Sequence, residues 1–280
     1  MKSILAILFV ALTGIAFGQN VTNQFGGQPS FAGQLLSAVP STTTVSYPYL
    51  MDFNPALGTF SDLGTTPATN NGNIAQWNDQ SGNGNNTIQP VGYLQPILVN
   101  GVVNGKPVVR FTGQAGDVLY NVTATHVQPI VFYVVLSSAQ FTGGGYDICW
   151  MGNKTPNGGL FLTSATGFGG DLMALTLKTG GLISNDTSNN VHLVTSGFNL
   201  VTAIWDTNSP YITLRTNGVT IGVAAAGTGL DFPPVNVTPT GFTLSMSLVY
   251  NCDIARVIIS TNATLSSVTN IEYMLRTNYL

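Results

Sequence analysis

The sequence predicts an all-β protein, a sandwich or barrel that ends in one helix. Short runs rich in β-branched and aromatic residues follow one another with Gly, Asn and Pro between them, the mark of closely spaced strands. Two Asn-Gly pairs separate such runs, and a two-residue type I′ turn takes Asn-Gly because both positions need positive φ. A 3.6-residue period persists only at the very end of the chain.

Strands are predicted at 97–103, 107–112, 130–137, 146–151, 172–178, 200–205, 211–216, 219–224, 242–250 and 254–260. Ten strands at this spacing specify a sandwich or barrel. Asn104-Gly105 and Asn217-Gly218 are the two hairpin turns. The helix is predicted over 265–277, where Leu265, Val268, Ile271, Met274 and Leu275 recur on one face. Thr264 is its predicted N-cap, the hydroxyl accepting from a first-turn amide.

Residues 1–18 read as an export signal. Lys2 supplies the positive start, Ile4 to Leu12 the apolar stretch, and Ala16-Phe17-Gly18 the small residues for cleavage. The apolar run falls short of the roughly 20 residues that cross a bilayer, so a secreted or cell-surface protein with no membrane span is expected. Residues 19–45 form a Gln-, Ser- and Thr-rich arm or edge strand with one apolar island, Phe31 to Val39, and the main domain is expected at 46–280.

Only 7% of the residues are charged, against 44% hydrophobic, where soluble domains average about 25% charged. Solubility must rest on Asn, Thr, Ser, Gln and Gly. Such a surface repels itself weakly and suits contact with sugars, a matrix or further copies of the chain. The net charge of −3 with no basic cluster excludes the footprint of a nucleic-acid binder. Asn20, Asn85, Asn121, Asn153, Asn185, Asn236 and Asn262 head Asn-x-Thr sequons, candidates for glycosylation in a secretory pathway. Their number is close to what this composition produces by chance.

Three segments resemble the laminin-G-like, concanavalin A-like jelly-roll family. Trp77-Asn-Asp79-Gln-Ser81-Gly82-Asn83-Gly84-Asn85, followed by Asn104-Gly105-Lys106-Pro107, is similar to its Trp-x-Asp-x-Ser-Gly-x-Gly-Asn segment. Leu200 to Asp206 with Asn217-Gly218 resembles its paired central strands, and Cys252 to Ile259 with the final helix resembles its closing strand and helix. The family usually carries Glu where this chain has Arg256, so any role of that carboxylate is lost. The resemblance implies a two-sheet antiparallel jelly-roll sandwich with a short C-terminal helix.

Sugar-cleaving relatives on this fold need two carboxylates about 5 Å apart. Here Glu272 is the only Glu, and it falls in the predicted helix; the ten Asp are scattered with no Asp-x-Asp. His126 and His192 lack zinc-site spacing, and there is no Gly-x-Ser-x-Gly. A Tyr/His lyase site needs no local signature and stays open, but no enzyme is expected.

Trp77, Asp79 and Asn83 are the candidate ligand-binding residues. Asp79 and Asn83 offer oxygens to a Ca²⁺ ion; an Asx-turn in which they bond local amides is the competing reading, and no other cofactor is implied. Trp77, Trp150 and Trp205 can stack on sugar rings or fill the core. Cys149 and Cys252, the only cysteines, are expected to form a disulfide in an exported protein, with two buried thiols as the alternative. The leading expectation is an exported, non-catalytic carbohydrate-binding or adhesive module whose partners are glycans or extracellular matrix. The second is a self-assembling structural protein of a fibre, sheath, matrix or capsid-like layer, with the arm at 19–45 joining copies into a homo-oligomer.

Overall fold

The structure, a computed structural model, describes residues 49–112, 116–126, 128–137, 147–152, 159–164, 172–177, 183–186, 197–208, 210–224, 240–245 and 252–280. The export signal, the arm at 19–45, His192 and the last residues of the strand predicted at 242–250 lie outside the described residues.

The described strands are β1 (Tyr49–Phe53), β2 (Thr59–Phe60), β3 (Gln76–Trp77), β4 (Thr87–Ile88), β5 (Ile97–Val103), β6 (Lys106–Phe111), β7 (Val118–Thr125), β8 (Ile130–Ser137), β9 (Asp147–Gly152), β10 (Gly159–Ser164), β11 (Leu172–Leu177), β12 (Ile183–Asp186), β13 (Phe198–Trp205), β14 (Ile212–Thr216), β15 (Val219–Ala224), β16 (Thr240–Ser245) and β17 (Cys252–Ser260). One helix, α1 (Leu265–Tyr279), follows. The first sheet runs β15-β14-β13-β8-β17-β6-β5, with β1 also paired to β17; the second runs β12-β11-β10-β9-β16-β7-β4-β3-β2. The pairings within them are antiparallel, as in β8 with β13 and β17. The expected two-sheet antiparallel jelly-roll sandwich with a C-terminal helix is the fold observed.

Both Asn-Gly turns adopt the expected geometry, with φ of 47° and 73° at Asn104 and Gly105 and 49° and 86° at Asn217 and Gly218. Strand alternation then sorts the side chains. Phe132, Val134 and Leu136 of β8 enter the sandwich core beside Val257 and Ile259 of β17. A chain of aromatic contacts joins the two sheets there: Phe132 meets Trp205 at 4.8 Å and Phe242 at 6.0 Å, and Phe53 meets Phe242 at 5.7 Å and Trp77 at 5.5 Å.

The other face of β8 carries Val131, Tyr133 and Val135, which are buried as well. They belong to a second, smaller apolar layer, covered by α1, which packs on β8 and β13. The helix buries Val268, Ile271 and Leu275, and each such side chain contributes about 1.5–3 kcal/mol. At the helix start, the hydroxyl of Thr264 makes no cap bond and instead donates to Asn262 Oδ1 at 2.9 Å. The expected hydroxyl cap is therefore not formed.

Within this layer Glu272 of α1, 1% exposed, accepts two bonds from Arg215 of β14: Nε to Oε1 at 2.8 Å and Nη2 to Oε2 at 2.9 Å. Arg215 also donates to Thr220 Oγ1 and to the Gly218 carbonyl, so the pair ties the helix to the β14–β15 hairpin. Burial, and secondarily the Glu272 charge, pushes the nearby Tyr133 phenol well above its ordinary range.

The expected disulfide is not formed. Cys149 lies on β9 of one sheet and Cys252 on β17 of the other, and both are buried thiols. The Cys252 thiol, within the sandwich core, donates to the Ser137 carbonyl of β8 at 3.5 Å, and burial raises its pKa well above the ordinary thiol range.

Two outcomes are predicted. Glu272→Ala leaves the Arg215 charge buried without its partner and lowers unfolding free energy in urea by about 3 kcal/mol; a loss below about 1 kcal/mol would show that the pair does not hold the helix. Denatured, unreduced protein titrates two thiols with a maleimide reagent, whereas a bridge would leave none.

Candidate functional site

The Trp77–Asn85 segment, the first candidate ligand site, is built as an internal clasp. Asp79 Oδ1 accepts the amides of Asp52 and Ser81, each at 2.9 Å, and Oδ2 accepts the Ser81 hydroxyl at 2.8 Å and the Asn85 amide at 3.1 Å. Asn83 donates its side-chain amide to the carbonyls of Tyr49 and Leu50 at 2.9 and 3.1 Å, and Asn85 donates to Leu50 at 3.0 Å. The loop is thereby fastened to β1. Both carboxylate oxygens of Asp79 are committed to these donors, so the pair does not present the ligand set a Ca²⁺ ion requires. The Asx-turn geometry is the one observed.

Trp77 is fully buried against Phe53, and Trp205 is fully buried as well. Neither faces a ligand. Trp150 stands apart: its neighbours Cys149 and Met151 enter the core, which turns the half-buried indole to the outer face of its sheet.

The sequons divide on the same kind of evidence. Asn20, Asn153 and Asn236 lie outside the described residues, and Asn185 falls on β12. The amide nitrogens that a glycan would occupy are already donors in Asn85 and in the buried Asn121, which bonds the Asn86 carbonyl at 2.9 Å. Asn262 is exposed, and its Oδ1 takes the Thr264 amide and hydroxyl.

A different place gathers polar groups around open space. A cleft of about 370 Å³ is lined by Asn54, Ala56, Lys106, Arg256, Met274, Asn278 and Tyr279. Each comes from an element with its own reason to be there. Lys106 opens β6 directly after the Asn104-Gly105 turn, Arg256 stands in the middle of β17, Asn54 follows β1, and the other three large side chains come from the last turns of α1. Lys106 Nζ sits 5.9 Å above the Tyr279 ring centroid, a cation–π distance, and no carboxylate among the described residues pairs with it. Arg256 Nη2 donates to Asp52 Oδ2 at 2.7 Å. Burial raises the Asp52 pKa, with Arg256 pulling the other way; it likewise raises the Tyr279 pKa against the same pull from Arg256.

Asn54 Oδ1 is taken by the Ala56 amide at 3.1 Å and Asn278 Nδ2 by the Met274 carbonyl at 2.8 Å. The remaining halves, Asn54 Nδ2 and Asn278 Oδ1, are available for a donor and an acceptor role. The cleft thus offers two cations, an amide donor, an amide carbonyl and an apolar floor, with no carboxylate among its described lining residues. Sequence reasoning missed it because its residues come from four distant stretches. The one local signal was Arg256 at a position where the resembled family has an acid.

No protein-family profile matches the chain, and no curated protein matches it. Solved structures do. The binding domain of Paraclostridial Mosquitocidal Protein 1 is 14% identical, with 70% of this chain covering 49% of that one at a TM-score of 0.50. The receptor binding domain of botulinum neurotoxin mosaic serotype C/D is 10% identical over 82% of this chain and 52% of that one, at 0.54. The botulinum neurotoxin serotype D binding domain matches at 10% identity, 82% and 51% coverage, and 0.54. At such identities the likeness is one of fold, the β-sandwich, and the chain spans about half the length of each of these structures.

Asp79→Ala strips four donors of their acceptor: the amides of Asp52, Ser81 and Asn85 and the Ser81 hydroxyl. A loss of about 2–4 kcal/mol in urea unfolding is expected, and added Ca²⁺ leaves the thermal midpoint of the unaltered protein unchanged. A calcium-dependent rise of several degrees would contradict this assignment.

Proposed function

We propose that this chain is an exported, non-catalytic carbohydrate-binding module of the laminin-G-like, concanavalin A-like type, secreted or held at the cell surface, and that it binds glycans in the cleft at the end of α1. The observation that carries the reading is the cleft itself: an apolar floor with a few convergent polar groups, at the small end of the 300–1,000 Å³ range of small-molecule sites. The toxin domains that share the fold are described as binding and receptor-binding domains, which agrees with a recognition role. The sole Glu is held in the Arg215 ion pair beneath the helix, which takes Glu272 out of any role as the acid of glycoside hydrolysis. Among the described residues no helix is long and apolar enough to cross a membrane.

A second reading is self-assembly into a fibre or layer. It is favoured by β15, an edge strand free of charged residues with Val219 63% and Val223 47% exposed, since charge is the usual guard against edge-to-edge pairing. The arm at 19–45 would add its own strand to a neighbour in such an assembly.

Immobilised-glycan screening of the purified protein is the test. Retention on a defined subset of glycans is expected, with loss of at least about tenfold in affinity for Ala56→Trp, which fills the cleft from an exposed position. Absence of any glycan retention, together with ordered polymers by electron microscopy, would favour the second reading instead.

A further inference from the structure

We infer that the group recognised in the cleft is the carboxylate of an acidic sugar, a uronate or a sialate; this rests on the glycan-binding reading above. Lys106 is the deciding residue. Its ammonium is held over the Tyr279 ring and carries a full charge with no described carboxylate to neutralise it. Arg256 is different, because Asp52 already takes one of its N–H groups in an ion pair; it adds donors more than field. Asn54 Nδ2 supplies a further donor beside them.

A neutral sugar is the poorer occupant. Covering Lys106 with hydroxyls and C–H groups strips water from an ammonium without giving it a counter-charge. A carboxylate replaces that water with a charge-assisted hydrogen bond, about twice as strong as a neutral one. The last turn of α1 opposes an anion, but a helix C-terminus presents only about half an elementary charge, less than Lys106 supplies. A polyanion is disfavoured on different grounds. The chain has a net charge of −3, and the described lining of the cleft brings no cation beyond Lys106 and Arg256, so it lacks the extended field that holds nucleic acid or a highly sulfated chain. The fit is therefore to a single negative group on a compact ring. Asn278 Oδ1 accepts a ring hydroxyl, and Ala56, Met274 and Tyr279 cover its apolar face.

Isothermal titration with four sugars tests this: a sialylated lactose and its neutral lactose parent, and a glucuronate disaccharide and its glucose counterpart. The acidic member of at least one pair is expected to bind about tenfold more tightly than its parent. The advantage should shrink between 0.05 and 0.5 M salt, about a threefold change in screening length, vanish in Lys106→Met and persist in Lys106→Arg. Which acidic sugar binds identifies whether sialate or uronate is the source. Equal binding of acidic and neutral members overturns the inference and leaves glycan binding standing. Binding of none of the four, with none on the wider glycan screen, overturns both. Acid preference that survives Ala56→Trp places the site elsewhere and also overturns the inference. Thermal melts of the Lys106 variants guard against misfolding, which is not expected at a half-buried hairpin residue.

Discussion

A sheet whose central strands are apolar on both faces can turn neither face to water, and the first sheet of this sandwich is built that way. Ile130 to Leu136 of β8 are buried without interruption, as are most residues of β17. The partner sheet covers one side of these strands. The other side needs a second cover, and the terminal helix supplies it with Val268, Ile271 and Leu275. An apolar contact alone would let such a helix slide or rotate. The forked bond between Arg215 and Glu272 admits one register, so a directional, charged contact sets the position of a layer that burial only holds down. Nearby, the Tyr133 and Thr202 hydroxyls stand opposite each other on β8 and β13, buried and without hydrogen-bond partners. Their cost is part of closing this second layer.

Much of the scaffold was legible in the sequence for one reason: its signals are local. Asn104-Gly105 and Asn217-Gly218 specify their turns through φ, and the strands at 97–103, 130–137 and 219–224 are bounded as expected. The strands left unread are those whose period is too short or too mixed to stand out. The two-residue β2, β3 and β4 carry no alternation at all, and β7 buries the polar Asn121 along with Leu119 while leaving Val122 exposed. The helix was legible from its spacing, but its cap was not, because whether the Thr264 hydroxyl donates or accepts depends on Asn262.

The sites were less legible than the fold, since they rest on contacts between distant stretches. Asp79 looks like a metal or ligand residue when read beside Asn83. Its acceptors are in fact used by the amide of Asp52, 27 positions earlier, and by neighbours in its own loop. Trp77 looks like a stacking platform until Phe53 is placed against it. The same holds for the charges. Few exist, and the described ion pairs join residues far apart: Arg110 with Asp253, Arg215 with Glu272, and Arg256 with Asp52. A composition that reads as an uncharged surface is in part a set of charges turned toward one another.

Arg256 shows how such a pairing shapes a site. With an acid at that position, as in the resembled family, the neighbouring Asp52 would face a like charge in a buried setting, and one of the two would have to give up its ionisation. Arginine there turns repulsion into a 2.7 Å bond and makes the adjoining cleft rich in donors. The helix completes that cleft with Met274, Asn278 and Tyr279, so the cleft exists only while α1 is seated on the sheet. Glu272, the helical member of the Arg215–Glu272 pair, lies about two turns before Asn278 and Tyr279. The bond that fixes the helix register therefore also fixes where Tyr279 meets Lys106. Stability of the second layer and the shape of the recognition surface are one property of this molecule, and a change that loosens the first must blur the second.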